Sequence, residues 1–334
     1  MEIALARRAR LELEYRGKNL DLHTTQVTYV DNAEGKLDSL EVRLEDREGL
    51  WRDENFPAKS DHLHARIFCY DWFTPGQKLY LDCGSFEIDA ISVDGPPDTV
   101  TISAFAAKAS QNGRTERKVQ KWEPAVLSAI AGEIAKRAGL TLYWMGNDHE
   151  WKRREQREEG DLNFLNRLCK ATGNFLKVVD DKAYIYSDEM IDAFPVVAQL
   201  IVGSTWIKTY HFRTQLHDVY QAAKVDFWEF WERKWYSSNQ KSKNTPPTKE
   251  VIKLRQRAES IEDAERIAKS GITVKNRAEI ISKFTLVGDP ALRATTRVGV
   301  DGFGVFDGTY FVQQATHVLD SQQGYTTALK LLKR

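Results

Sequence analysis

At 334 residues the chain is long enough for roughly two domains of about 150 residues each, with a sizeable core. Its 48 Lys and Arg balance 48 Asp and Glu, which excludes a protein that gathers nucleic acid or anionic lipid by bulk charge. With 42% hydrophobic and 29% charged residues the composition is that of a folding chain, not a disordered one. No apolar run approaches the ~18 residues of a membrane span, and MEIALARRAR has no apolar stretch behind its charges; a soluble protein made without a signal peptide is expected. Cys69, Cys83 and Cys169 have no CxxC spacing and read as reduced cytoplasmic thiols filling core space.

The first hundred residues alternate with a period of two, the signature of half-buried strands. Leu11, Leu13 and Tyr15 alternate, as do Leu40, Val42 and Leu44, then Leu79, Leu81 and Cys83, then Val100, Ile102 and Ala104 after the turn Asp94-Gly95-Pro96-Pro97. A small barrel-like β domain over 1–112 is predicted. From Gly113 to Lys121 the apolar period vanishes, as in a surface crossing between domains. A helix is predicted from Pro124, with Leu127, Ile130, Ala131, Ile134 and Ala138 on one face and Gly139 closing it. The interleaved charges of Glu150 to Asp161 predict a solvated edge. Asp161 then reads as the cap of a second helix carrying Leu162, Leu165, Leu168 and Cys169, ended by Gly173. A hairpin, Phe175 to Val179 and Ala183 to Tyr186, completes an α+β insert over 113–200.

The remainder, 201–334, reads as a second barrel-like β domain. A long arm over 226–248 carries Trp228, Phe230, Trp231, Trp235 and Tyr236 ahead of a Ser/Asn/Lys/Pro tip, and aromatics so clustered serve either partner contact or ordinary core. An inserted helix over 260–276 starts with Ser260 and Asp263 in a capping-box arrangement. Five short strands follow: Ile280 to Val287, Arg297 to Gly302, Tyr310 to Gln313, Thr316 to Leu319 and Thr326 to Leu332. The fold class expected is mainly β (α+β).

The chain offers little chemistry. No serine sits in a G-x-S-x-G elbow, and Gly302, Gly304 and Gly308 lack the spacing and following helix of a phosphate loop. His62 and His64 would share a strand face but have no third metal ligand, and His317 reads as a structural, half-buried histidine. No catalytic residue, cofactor or metal is expected. The rivals are a cell-wall hydrolase using a carboxylate pair the sequence does not reveal, and a carbohydrate-binding module using the arm's aromatics.

Two stretches carry a resemblance. In Gly160 to Tyr186, Phe164, Leu165, Arg167, Leu168 and Gly173 fall on an acidic-FLxRLxxxxG pattern followed by a hairpin; in Asp307 to Leu331, Val312, Thr316, His317, Gly324, Tyr325, Thr326 and Thr327 form a His-then-GYTT ending. These are similar to the late control D family, the baseplate hub proteins of contractile-tailed phages. The family's Gln-Ser-x-Glu-Ser-like lead before FLxRL is here Arg154-Glu155-Gln156-Arg157-Glu158-Glu159. The resemblance implies a homotrimeric ring in which two β domains per chain make a pseudo-sixfold annulus, adapting a sixfold tail tube to a threefold central spike. It implies as partners the spike, the tube or its initiator, the tape measure and baseplate wedge proteins. DNA would pass through without specific binding, and no membrane is involved. The chain is expected in the virion's tail baseplate, assembled in the bacterial host cytoplasm, with the spike a separate polypeptide because the sequence closes on its last strand, unlike the fused spikes of type VI secretion systems.

Overall fold

The computed structural model describes residues 6–19, 24–53, 56–58, 61–106, 117–214, 219–229, 233–242, 248–277 and 279–334. The period-two segments are strands: β1 (Arg8–Tyr15), β2 (Lys18–Asn19), β3 (Thr24–Asn32), β4 (Ser39–Glu45), β5 (His62–Tyr70), β6 (Lys78–Asp94) and β7 (Thr99–Ala106). They pair antiparallel in the order β3-β4-β7-β6-β5-β1-β2. β6 serves two partners, pairing β5 over Lys78–Glu87 and β7 over Phe86–Asp94, with register shifts on each side. Such irregularities bend a strand, which lets one chain segment turn the sheet around its own core. Leu13, Leu40, Val42, Leu63, Phe86 and Ile102 fill that core, together with Cys69 and Cys83.

The middle of the chain contains β8 (Lys118–Trp122), β9 (Ala125–Val126), α1 (Leu127–Arg137), β10 (Thr141–Met145), β11 (Glu150–Trp151) and β12 (Arg154–Glu159). After them come α2 (Asp161–Ala171), β13 (Asn174–Val179), β14 (Lys182–Ser187) and α3 (Asp188–Ile191). Ile130, Ile134, Leu165 and Leu168 pack the helices against Leu176 and Ile185 of the sheet β10-β14-β13. Four expectations change here. The last residues of the supposed crossing form β8, paired with β12 in a two-stranded ribbon; Gly113 to Glu116 lie outside the described residues. α1 begins at Leu127 rather than Pro124, because Ala125 and Val126 pair with Trp151 and Glu150. The charged stretch is not wholly solvated: Trp151 and Gln156 are buried, since a strand turns alternate side chains inward even where the composition is polar. Asp161 is the first helical residue, behind the extended Gly160, and makes no capping bond; it is buried among Arg137, Lys118 and Gln156.

The rest of the chain forms β15 (Val196–Ile201), β16 (Ile207–Thr214), β17 (Ala222–Glu229), β18 (Lys234–Lys241), β19 (Val251–Leu254) and α4 (Ile261–Asn276). It closes with β20 (Ile280–Val287), β21 (Arg297–Asp301), β22 (Gly308–Asp320) and β23 (Gly324–Lys333). Where the sequence reads two strands between Tyr310 and Leu319, there is one. Gln313 is the extra residue at a register shift between Val312 and Gln314, which breaks the apolar phase without breaking the strand. β15, absent from the sequence reading, pairs parallel with β21. In place of a projecting arm, β17, β18 and β19 form a three-stranded sheet covered by α4, with Ala223, Val225 and Tyr236 packed on Ala264, Ile267 and Ile272. Ser260 caps α4 through the Asp263 N–H, while Asp263 accepts from Glu259 N, one residue beyond the capping-box partner. Finally, Gln314–Asp320 of β22 pair with Gln26–Asn32 of β3. That ladder merges the N- and C-terminal strands into a single sheet of 13 strands among the described residues.

Candidate functional site

The motif residues fall in two places. On α2, Phe164, Leu165 and Leu168 face the core, while Arg167 turns outward, reaching Glu159 and the Glu155 carbonyl with its guanidinium over the Phe164 ring. Gly173 follows the helix in the left-handed region at φ 72°, the conformation that ends it. The second group lies on the β22–β23 hairpin. Thr316 and Thr326 are half-buried on its strands and Gly324, at φ 76°, begins β23 after the turn.

His317 is fully buried beneath Tyr29, whose ring stacks on it at 6.0 Å. Its Nε2 lies 3.0 Å from the Leu292 carbonyl and its Nδ1 2.7 Å from the Tyr325 hydroxyl. A carbonyl only accepts, so Nε2 carries the proton and Nδ1 accepts from Tyr325. Burial drives the imidazole's pKa down to about 4, which keeps it neutral. Tyr325 in turn packs on Trp72, whose indole N–H donates to the Gly288 carbonyl at 2.6 Å. The His-then-GYTT ending is thus one side of the seam between the N- and C-terminal strands. A Cβ at Gly288 would fall inside the Tyr325 ring. Gly288→Ala is therefore expected to cost about 1–3 kcal/mol by overpacking, read as a lowered urea midpoint.

A second junction was not anticipated. Lys177, in the middle of β13, inserts its ammonium between the two β units and the insert. It pairs with Asp31, donates to the Asn32 carbonyl at 2.8 Å and lies 3.9 Å from Asp38. Asp31 accepts from Ala294 N at 2.9 Å and Asp38 from Asn32 N at 2.8 Å. Burial pushes the Asp38 carboxyl up, Lys177 opposes it and Asp31 adds to it. One cation thus serves two buried carboxylates. Nearby, Asp188 receives both Arg277 and Arg334, and Arg277 also faces Glu34. On α4, Asp263 receives His149 and Arg266; burial opposes ionisation, but these bonds hold the carboxyl well below its usual range. The single signal in the sequence was Lys177 itself, a charge interrupting the apolar run FLKVV.

The aromatic candidates divide. Tyr236 is 5% exposed and belongs to the core, whereas Trp228 and Trp235 face each other across the hairpin with rings 5.4 Å apart, 41% and 62% exposed. Phe230 and Trp231 lie outside the described residues. Apolar side chains also stand on β15, a strand that pairs only with β21 among the described residues: Val196, Val197 and Ile201 are exposed there, with Val202 just beyond. Tyr210 is exposed on β16, at the opposite end of the ladder.

His62 is exposed at the start of β5, while His64 meets Ser85 at 3.0 Å and Asp82 at 3.3 Å. Among the described residues no group of three or more His, Cys, Asp or Glu is placed to hold a metal ion, and no helix is long and apolar enough to cross a membrane. The three cysteines are buried as free thiols, pushed up by burial.

The architecture, a long bent sheet with an α+β insert and a small sheet-helix unit, is mostly β and shares its fold with solved phage tail proteins. The structure matches the 43 kDa tail protein of prophage MuSo2 from Shewanella oneidensis with a TM-score of 0.73 at 13% identity over 98% of both chains. It also matches a tail protein from Neisseria meningitidis with a TM-score of 0.71 at 12% identity, over 97% of this chain and 96% of that one. No family model matches the chain. In sequence it is similar to the probable baseplate hub proteins of Escherichia phages P2 and 186, 28% identical over 169 and 160 residues respectively. Those stretches are 48% and 46% of this chain, and 39% and 37% of the length of the curated relatives.

Proposed function

We propose that the chain is a non-enzymatic structural hub of a contractile tail baseplate, closing as a ring of three copies between a sixfold tube and a threefold spike. The observation that carries this reading is the sheet's ends. Among the described residues β15 and β16 each leave one strand edge unpaired, with Val196, Val197, Ile201 and Tyr210 exposed, a combination that invites pairing with another chain unless an assembly covers it. The 28% identity to baseplate hub proteins supports the same assignment. Trp228 and Trp235 form a second exposed aromatic surface suited to partner contact. The chain divides at 112/113 and 200/201 in this reading, and its partners are the central spike, the tube or its initiator, the tape measure and the wedge proteins. Its place is the virion's tail, after assembly in the host cytoplasm.

Light scattering on the purified chain tests it. A particle of about 115 kDa, three copies of 38.3 kDa, with ring-shaped images is the expected result. A species that stays monomeric at every concentration, and with spike protein added, overturns the ring.

A further inference from the structure

Beside the β8–β12 ribbon lies an open cleft of about 900 Å³. Six cationic side chains, Lys152 and five arginines, line it with only three carboxylates, Glu155, Glu159 and Glu259. In a chain whose charges cancel, this is a concentrated positive excess. We propose that the cleft docks an acidic segment of a partner protein.

The guanidinium groups are held in place before any ligand arrives. Glu155 accepts from Arg153 and from both Nε and Nη2 of Arg157, the latter at 2.8 and 2.6 Å. Hydrogen bonds from Arg157 and Arg153 hold the Glu155 carboxyl below its ordinary range, so it stays ionised and keeps both. Arg167 is anchored on Glu159, and Arg154 on Glu259 at 2.7 Å. An arginine has five N–H donors, so a fork fixed by one carboxylate still offers donors to a second in the planar geometry a carboxylate prefers. Arg157 is 81% exposed, and Val119, opposite it in the ribbon, is 75% exposed and supplies an apolar anchor. The chain as a whole carries no net charge to gather a polyphosphate, and the planar arginine forks match carboxylates, so an acidic peptide is favoured over nucleic acid. The inference stands on this cleft alone and holds whether or not the chain forms a ring.

The test uses the full chain and a fluorescein-labelled decaglutamate peptide, read by anisotropy. Binding is expected at about 50 mM salt and at least about tenfold weaker at about 300 mM, as screening requires. Arg157→Gln is expected to weaken it about threefold and the double variant Arg153→Glu, Arg157→Glu about tenfold or more, with unchanged circular dichroism. No binding at the lower salt, or equal binding by Arg157→Gln and the double variant, overturns the proposal. So does a single-stranded oligonucleotide of about 20 nucleotides that binds as tightly and loses affinity in the same variants.

Discussion

Replacing Lys177 by methionine is expected to destabilise the protein by about 3–5 kcal/mol, because it leaves Asp31 and Asp38 buried with their cation gone. The side chain volume is nearly kept, so the loss reports charge rather than a cavity. Adding Asp31→Asn and Asp38→Asn to the methionine variant is expected to return more than half of it, since neutral amides of the same shape need no counter-charge. Urea midpoints of the three proteins measure this. A loss under about 1 kcal/mol for the single variant would mean that water reaches both carboxylates. Because the lysine contacts the N-terminal strands from the insert, the variant should also unfold in two separated transitions, where the parent loses both regions together.

Acid is expected to weaken the seam through His317. In the unfolded chain this imidazole takes a proton near its ordinary value of 6.5, whereas burial lowers the folded value to about 4. Above the unfolded value both states are neutral there and the full contribution is present. As the pH falls between the two values only the unfolded chain binds the proton, so stability is lost, in all about 3 kcal/mol at about 1.4 kcal/mol per unit. His317→Gln removes the titration. The stability difference between parent and variant should therefore shrink by about that amount from about pH 7 to about pH 4. Parallel curves would show that the imidazole does not stay neutral in the fold.

The strands of the first hundred residues and the cores of α1 and α2 were legible because their apolar side chains repeat at the period of a single element: Leu11, Leu13 and Tyr15, or Leu162, Leu165 and Leu168. What escaped depends on partners far away in the chain. Asp31 and Lys177 are 146 residues apart, and nothing local to either marks the pair. Gln156 looked like one more charge-run residue, and its burial follows from the ribbon β8 forms with β12. β15 lies at an end of the ladder with most of its side chains exposed, so its sequence carries no alternation to detect. His317 was placed in its strand, but that its ring meets Tyr325 and Leu292 could be read only once the hairpin and the Leu292 loop were brought together. The aromatic segment misled as an arm because Tyr236 needs α4, some thirty residues on, to become core.

The pairing of β22 with β3 also has a mechanical meaning. Seven residue pairs, Gln314 to Asp320 against Asn32 to Gln26, run side by side along one axis. A pull that slides the C-terminal strands past the N-terminal ones along that axis loads every rung at once, and the rungs fail together or not at all. A pull at right angles loads only the outermost rung, and the ladder opens one pair at a time. The molecule is therefore stiff to shear along these strands and compliant to peeling across them, so a thrust delivered down the strand direction passes from one half to the other without being absorbed at their boundary.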